Sequence, residues 1–91
     1  MPKHPKTVEG FNGTLEELAK AVGKMEYGSV EEFLEYLRSD IQKQADNDAE
    51  NDRVILAQAL WNAAIGLYQA KAYMGRAWQI SKPYMKDAYE E

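Results

Sequence analysis

QADNDAENDRV, residues 44–54, carries an acid at 46, 48, 50 and 52. The stretch either grips a cation or turns the chain. Aligned with a calcium-binding loop from Asp46, these acids fall on its first four ligand positions. Loop position 6 is then Asn51 instead of glycine, and position 12 is Ala57 instead of a bidentate glutamate. Both the sharp turn and the clamp of such a loop are missing. Asn and Asp do, however, compete with helical hydrogen bonds through their own side chains, and they tolerate left-handed geometry. The stretch therefore reads as a turn at 45–51 that ends one helix and starts the next, with Asn47 and Glu50, or Asp48 alone, as the cap. The competing structure is one rod, since no Gly or Pro occurs between Ser29 and Ile65. Such a rod would run about 75 Å and would need all its apolar surface buried between molecules, so the hairpin is preferred.

The flanks of the turn are helical by their periodicity. On its N-terminal side, Val30, Phe33, Leu34, Leu37 and Ile41 keep the 3–4 spacing of a buried stripe, with Glu31, Glu32, Glu35, Arg38 and Asp40 on the other faces. Ser29 followed by Glu32 has the form of a capping box, which predicts a helix at about 29–45. A shorter helix, about 14–23, precedes it. Thr14 and Glu17 form its capping box, Leu15, Leu18, Ala19 and Val22 its stripe, and Gly23 a left-handed stop. Residues 1–13, with Pro2, Pro5, Gly10 and Gly13, read as a mobile arm anchored at most by Phe11.

On the C-terminal side, about 50–82 is one long helix rich in Ala, Leu, Gln and aromatic residues. Pro83 is expected to end or kink it, leaving a short turn at 83–89. The fold class is all-α, a small bundle of one short helix, one medium helix and one long C-terminal helix. Residues 14–91 form its single domain.

The long helix is apolar around much of its circumference. One stripe reads Leu56, Leu60, Ala63, Leu67, Ala70, Met74 and Ala77, and its neighbour Ala57, Trp61, Ala64 and Tyr68. Two short helices cover one side of such a rod, not both. Aromatic groups left in water would make a patch of the kind that marks an interface, and Ala59, Ala63, Gly66 and Ala70 would let another helix approach. A homodimer burying the long helix against its mate is the expected assembly. Trp61, Tyr68, Tyr73, Met74 and Trp78 are the candidate interface residues, most of them aromatic anchors of the type that dominates interface energetics.

Composition bounds the remaining possibilities. Ninety-one residues with 45 % apolar and 29 % charged content describe one globular domain. There is no cysteine, hence no disulfide framework and no thiolate chemistry. The first residues lack the apolar run of a secretory signal, no stretch suits a membrane span, and a cytoplasmic setting is expected. The net charge of −4 hides a strong division. Residues 14–52 hold eleven acids against Lys20, Lys24, Arg38 and Lys43, a net of −7; residues 53–86 hold Arg53, Lys71, Arg76, Lys82 and Lys86 and no acid, a net of +5. Complementary charge at the edges of a hairpin follows directly.

These residues fit three functional classes poorly. A nucleophilic triad lacks its base, because the only imidazole is His4 in the arm, and no phosphate-binding glycine loop occurs. A carboxylate-bundle metalloenzyme would need ligands from facing helices, yet the long helix has no Asp, Glu or His between Arg53 and Lys86. Glu31, Glu32 and Glu35 are expected to point outward. No metal, cofactor or catalytic residue is therefore expected.

Residues 14–37 superficially resemble a helix–turn–helix unit, but its reading helix would offer Glu31, Glu32 and Glu35 to phosphates, so direct nucleic-acid contact is disfavoured. The expected function is a non-catalytic interaction, adaptor or regulatory module, self-associating or docked on another protein. The alternatives are a nucleic-acid-linked regulator or acidic nucleic-acid mimic and, after it, a metal-dependent carboxylate enzyme.

Overall fold

In a computed structural model that describes residues 4–89, with side chains through Tyr84, the chain forms three helices: α1 (Leu15–Gly23), α2 (Tyr27–Glu50) and α3 (Val54–Tyr89). α2 and α3 pack along their length as an antiparallel hairpin. At about 1.5 Å per residue α3 accounts by itself for the long axis of the molecule, which measures 52 × 30 × 14 Å. The third dimension is little more than one helix thick. Globular domains place two layers around a core; this chain supplies one.

α1 begins as its sequence requires. Thr14 Oγ1 accepts from the Glu17 amide at 3.1 Å, and the Thr14 amide donates to Glu17 Oε1 at 2.9 Å, closing the capping box. Its end differs from expectation. Gly23 lies inside the helix and Lys24 caps it in right-handed geometry, with its amide shared among the carbonyls of the last turn. α2 then starts two residues before Ser29. Glu26 is its N-cap without a side-chain bond, and the Ser29 capping box does not form. Tertiary contact explains the earlier start: Gly28, in the first turn, lies so close to the Trp78 indole of α3 that an added Cβ would come within 3.0 Å of Nε1. Packing fixes this end of α2 where local capping would have begun it later.

The turn sits at residues 51–53, not 45–51, because Ala45 through Glu50 remain helical. The Arg53 amide donates to the Asp48 carbonyl at 2.8 Å and the Asp52 amide to the Ala49 carbonyl at 3.2 Å, the bond pair of a Schellman ending. Asp52 takes the left-handed position, φ 62°, where glycine is commonest. A β-branched side chain there is strained against its own backbone, so Asp52→Val should lower stability by about 1–2 kcal/mol while Asp52→Gly or Asp52→Asn is tolerated. Urea unfolding followed by circular dichroism measures the difference.

Near the turn the helices meet through their smallest side chains. Ala45 and Ala57 are 0 % exposed and Ala64 5 %; the other buried residue among those described is Asp48, and no large side chain is fully buried. The seam on α2 follows Glu31, Leu34, Arg38, Ile41, Ala45 and Asp48, all half-buried or buried and spaced by three and four. The expected stripe was shifted by one residue: Phe33 is 41 % and Leu37 38 % exposed. On α3 the most buried residues come from the Ala57–Ala64 stripe, with Leu60, Leu67 and Met74 at its margin.

Pro83 also departs from expectation. α3 runs through it to Tyr89 as one helix, so 83–89 is not a separate turn. Proline removes one backbone donor and disfavours helix at Lys82, yet the turns on both sides keep their own bonds. No described helix is long and apolar enough to cross a membrane.

Candidate interaction surface

The hairpin seam carries ions where a core would carry leucines. At its middle, Arg38 donates through Nε and Nη2 to the two oxygens of Glu35, at 2.9 and 2.8 Å, and through Nη1 to Gln42 at 2.7 Å. Lys71 reaches across from α3 to Glu35 Oε1 at 3.0 Å and lies 5.6 Å from the Tyr68 ring centroid. Glu31 lies against Gly75, where an added Cβ would meet its Oε2 at 2.6 Å. Glu31 and Glu35 thus turn toward α3, contrary to the outward orientation expected of them. The close helix approach set by the alanines brings cations of the basic helix within reach of acids on this side.

Arg38 first, and Lys71 with it, pulls the Glu35 carboxyl from its ordinary 4.5 down to about 2. A lowered carboxyl contributes stability that is fully present above the unfolded value and is lost as pH falls through the folded one. Stability should therefore decline between about pH 4.5 and 2. Glu35→Gln should flatten this part of the acid limb, as read from denaturant midpoints across that range. The side chain is 36 % exposed, so solvent screens part of the effect.

The acidic stretch around the turn divides into separate tasks. Asp46 accepts the Trp61 indole N–H at 3.0 Å, and Asp48 accepts Arg53 Nε at 2.7 Å. Glu50 is exposed, and Asp52 forms the turn. Among the described residues no three His, Asp or Glu side chains gather as metal donors. The stretch works as a fastening between two helices.

The five candidate interface residues do not form one surface. Trp61 and Tyr68, 36 % and 58 % exposed, share a face of the hairpin with Ile65. Together with Arg38, Gln42 and Ala64 they line an open concavity of about 360 Å³. Tyr73, 73 % exposed, projects from the side of α3 remote from α2, near Ile80 one and a half to two turns on. Met74 and Trp78 are half-buried toward α2, and Trp78 covers Gly28 with Lys82 Nζ 5.1 Å from its ring centroid.

Sequence reasoning passed over a second face, on the other side of the slab from Trp61. Helical geometry puts Val30, Leu34, Leu37 and Ile41 of α2 along one edge of it. Leu56, Leu60, Leu67 and Met74 of α3 form the facing edge, interleaved with Ala63, Ala70 and Ala77. Its large side chains are half-buried or, at Leu37, exposed, because a single layer of helices covers each on one side alone. Asp40, which accepts from Gln44 at 2.8 Å, borders this face on α2, and helical spacing assigns it no charged residue on α3 between Leu56 and Ala77. The leucine stripe of α3 was visible in the sequence; that α2 extends it into a face could be read only once the seam was placed. α1 adds an apolar recess beside Phe33, lined by Leu15, Leu18, Ala19, Val22 and Gly23.

Comparison of the chain with family models, curated proteins and solved structures finds no match.

Proposed function

We propose that the chain is a non-catalytic interaction module that works by docking its apolar helical surface against another helical surface, first of all a second copy of itself. One observation carries the reading: among the described residues the buried apolar side chains are three alanines, while leucines, isoleucines and aromatics remain partly in water. Three alanines bury little apolar area, and at about 25 cal/mol per Å² they contribute little toward the conformational entropy lost on folding. A chain of this composition gains its missing stabilisation by covering that surface.

Light scattering at micromolar concentration is the test. A particle of twice 10.4 kDa is expected, and a particle of 10.4 kDa overturns self-association. Leu37→Glu, on the aliphatic face and partly exposed already, should return the dimer to 10.4 kDa without loss of hairpin helicity. Regulation through nucleic acid, or mimicry of it, stays the second reading. It draws on the division of charge between α2 and α3, and salt-sensitive binding to DNA or to a basic protein would favour it.

A further inference from the structure

The accessible surface is 7329 Å², whereas a compact monomer of this mass exposes roughly 5,400 Å², so about 1,900 Å² is in excess. Even with half of it assigned to the chain ends, the remainder exceeds the roughly 800 Å² per partner of a standard interface. The aliphatic face runs continuously along both helices, with Asp40 the charge at its α2 edge. A second copy offers the same face, so its covering needs no other protein.

Charge selects between the two ways of stacking such faces. α2 holds seven acids against Arg38 and Lys43, a net of −5; α3 from Val54 to Tyr84 holds Lys71, Arg76 and Lys82 and no acid, a net of +3. A two-fold axis across the helices would lay α2 on α2 and α3 on α3, like charge on like along both edges. An axis parallel to the helices lays each α2 over the partner's α3.

We infer that two copies stack their aliphatic faces about an axis parallel to the helices, forming a four-helix core in which α2 of each copy lies antiparallel to α3 of the other and both turns sit at the same end. In the register set by Glu35 opposite Lys71 and Gly28 opposite Trp78, Ile41, Leu37 and Leu34 then meet Leu67, Ala70 and Met74 of the other copy at similar heights. The buried layer is leucine-rich, and the ion pairs of each seam lie at its edge. The Trp61–Ile65–Tyr68 face stays outside this core, open to solvent. This arrangement rests on the proposed self-association, and its test separates the two.

The chain has no cysteine, so a spin label on Glu50→Cys, exposed beside the turn, reports cleanly on the full-length protein. With the turns at one end, pulsed electron–electron resonance should give a distance of roughly 20–30 Å; turns at opposite ends would separate the labels by at least the length of α2, about 36 Å. The longer distance in a confirmed dimer overturns the arrangement and leaves self-association standing. A monomer overturns both. Salt supplies an independent readout: the dimer should weaken several-fold from low to high salt, whereas like-on-like stacking tightens, and tightening sinks the inference.

Discussion

Ala57→Leu should be among the most damaging single substitutions in the chain, lowering stability by about 2–3 kcal/mol and broadening the unfolding transition. Ala57 has no exposed surface and lies one turn into α3, and Ala45 on α2 is buried as completely. Three added carbons at a position already wholly covered must push α2 and α3 apart. Separation there lengthens the Asp48–Arg53 and Asp46–Trp61 bonds, which hold the same end of the hairpin. Elsewhere leucine for alanine is benign: at Ala72, exposed and half a turn around α3 from the aliphatic face, the same substitution should change stability by less than about 0.5 kcal/mol. Thermal unfolding of the two variants side by side tests the assignment. Equal effects would mean that Ala57 does not sit at a contact.

Asp48→Ala should rank next, at about 2 kcal/mol. Asp48 is 7 % exposed at the end of α2, and its carboxylate holds the guanidinium of Arg53, the last residue of the turn, at 2.7 Å. The Asp48 backbone carbonyl also receives the Arg53 amide, so one residue ties both the main chain and the side chain across the bend. Alanine keeps the main-chain bond and deletes the other, leaving Arg53 two-thirds covered without its partner. Asp48→Asn retains an acceptor and should lose less. Arg53→Ala combined with Asp48→Ala should cost less than the sum of the single changes, and additivity in that cycle would show that the two do not interact.

Much of the fold was legible in the residues, and the misreadings share one cause. Thr14 and Glu17 announce α1 because a capping box is local, and local signals survive folding intact. The hairpin, the helix count and the turning role of the acidic stretch were legible for the same reason. The turn was nevertheless expected too early, since Asp46 and Asp48 look like helix terminators until α3 offers Trp61 and Arg53 as partners. Glu31 and Glu35 were expected in solvent because carboxylates usually are. Their place in the seam depends on how closely alanines allow the helices to come, and on Lys71, thirty-six residues from Glu35.

Site residues fared according to the same distinction. The aromatic content of α3 was plain, but whether Trp61, Tyr68, Tyr73, Met74 and Trp78 share a face depends on where α2 lies around α3. That direction is a tertiary quantity. Once it is known, Trp61 and Tyr68 stay together, Tyr73 points away, and Met74 and Trp78 turn inward. The aliphatic face emerged because α2 and α3 each contribute half of it.

The closed end of the hairpin also sets an order of assembly. Contacts between Asp48 and Arg53, and between Asp46 and Trp61, span five and fifteen residues, so closing those loops costs little chain entropy. The Glu35–Lys71 contact spans thirty-six and comes later, and the approach of Trp78 to Gly28 spans more still. Folding should start at the bend and zip toward the free ends, with rapid kinetics typical of short-range connectivity. On the return path the strands of the zip open from the far side. Limited proteolysis of the native protein should therefore cut first near α1 and the last turns of α3, while the bend that links the two long helices is nicked last.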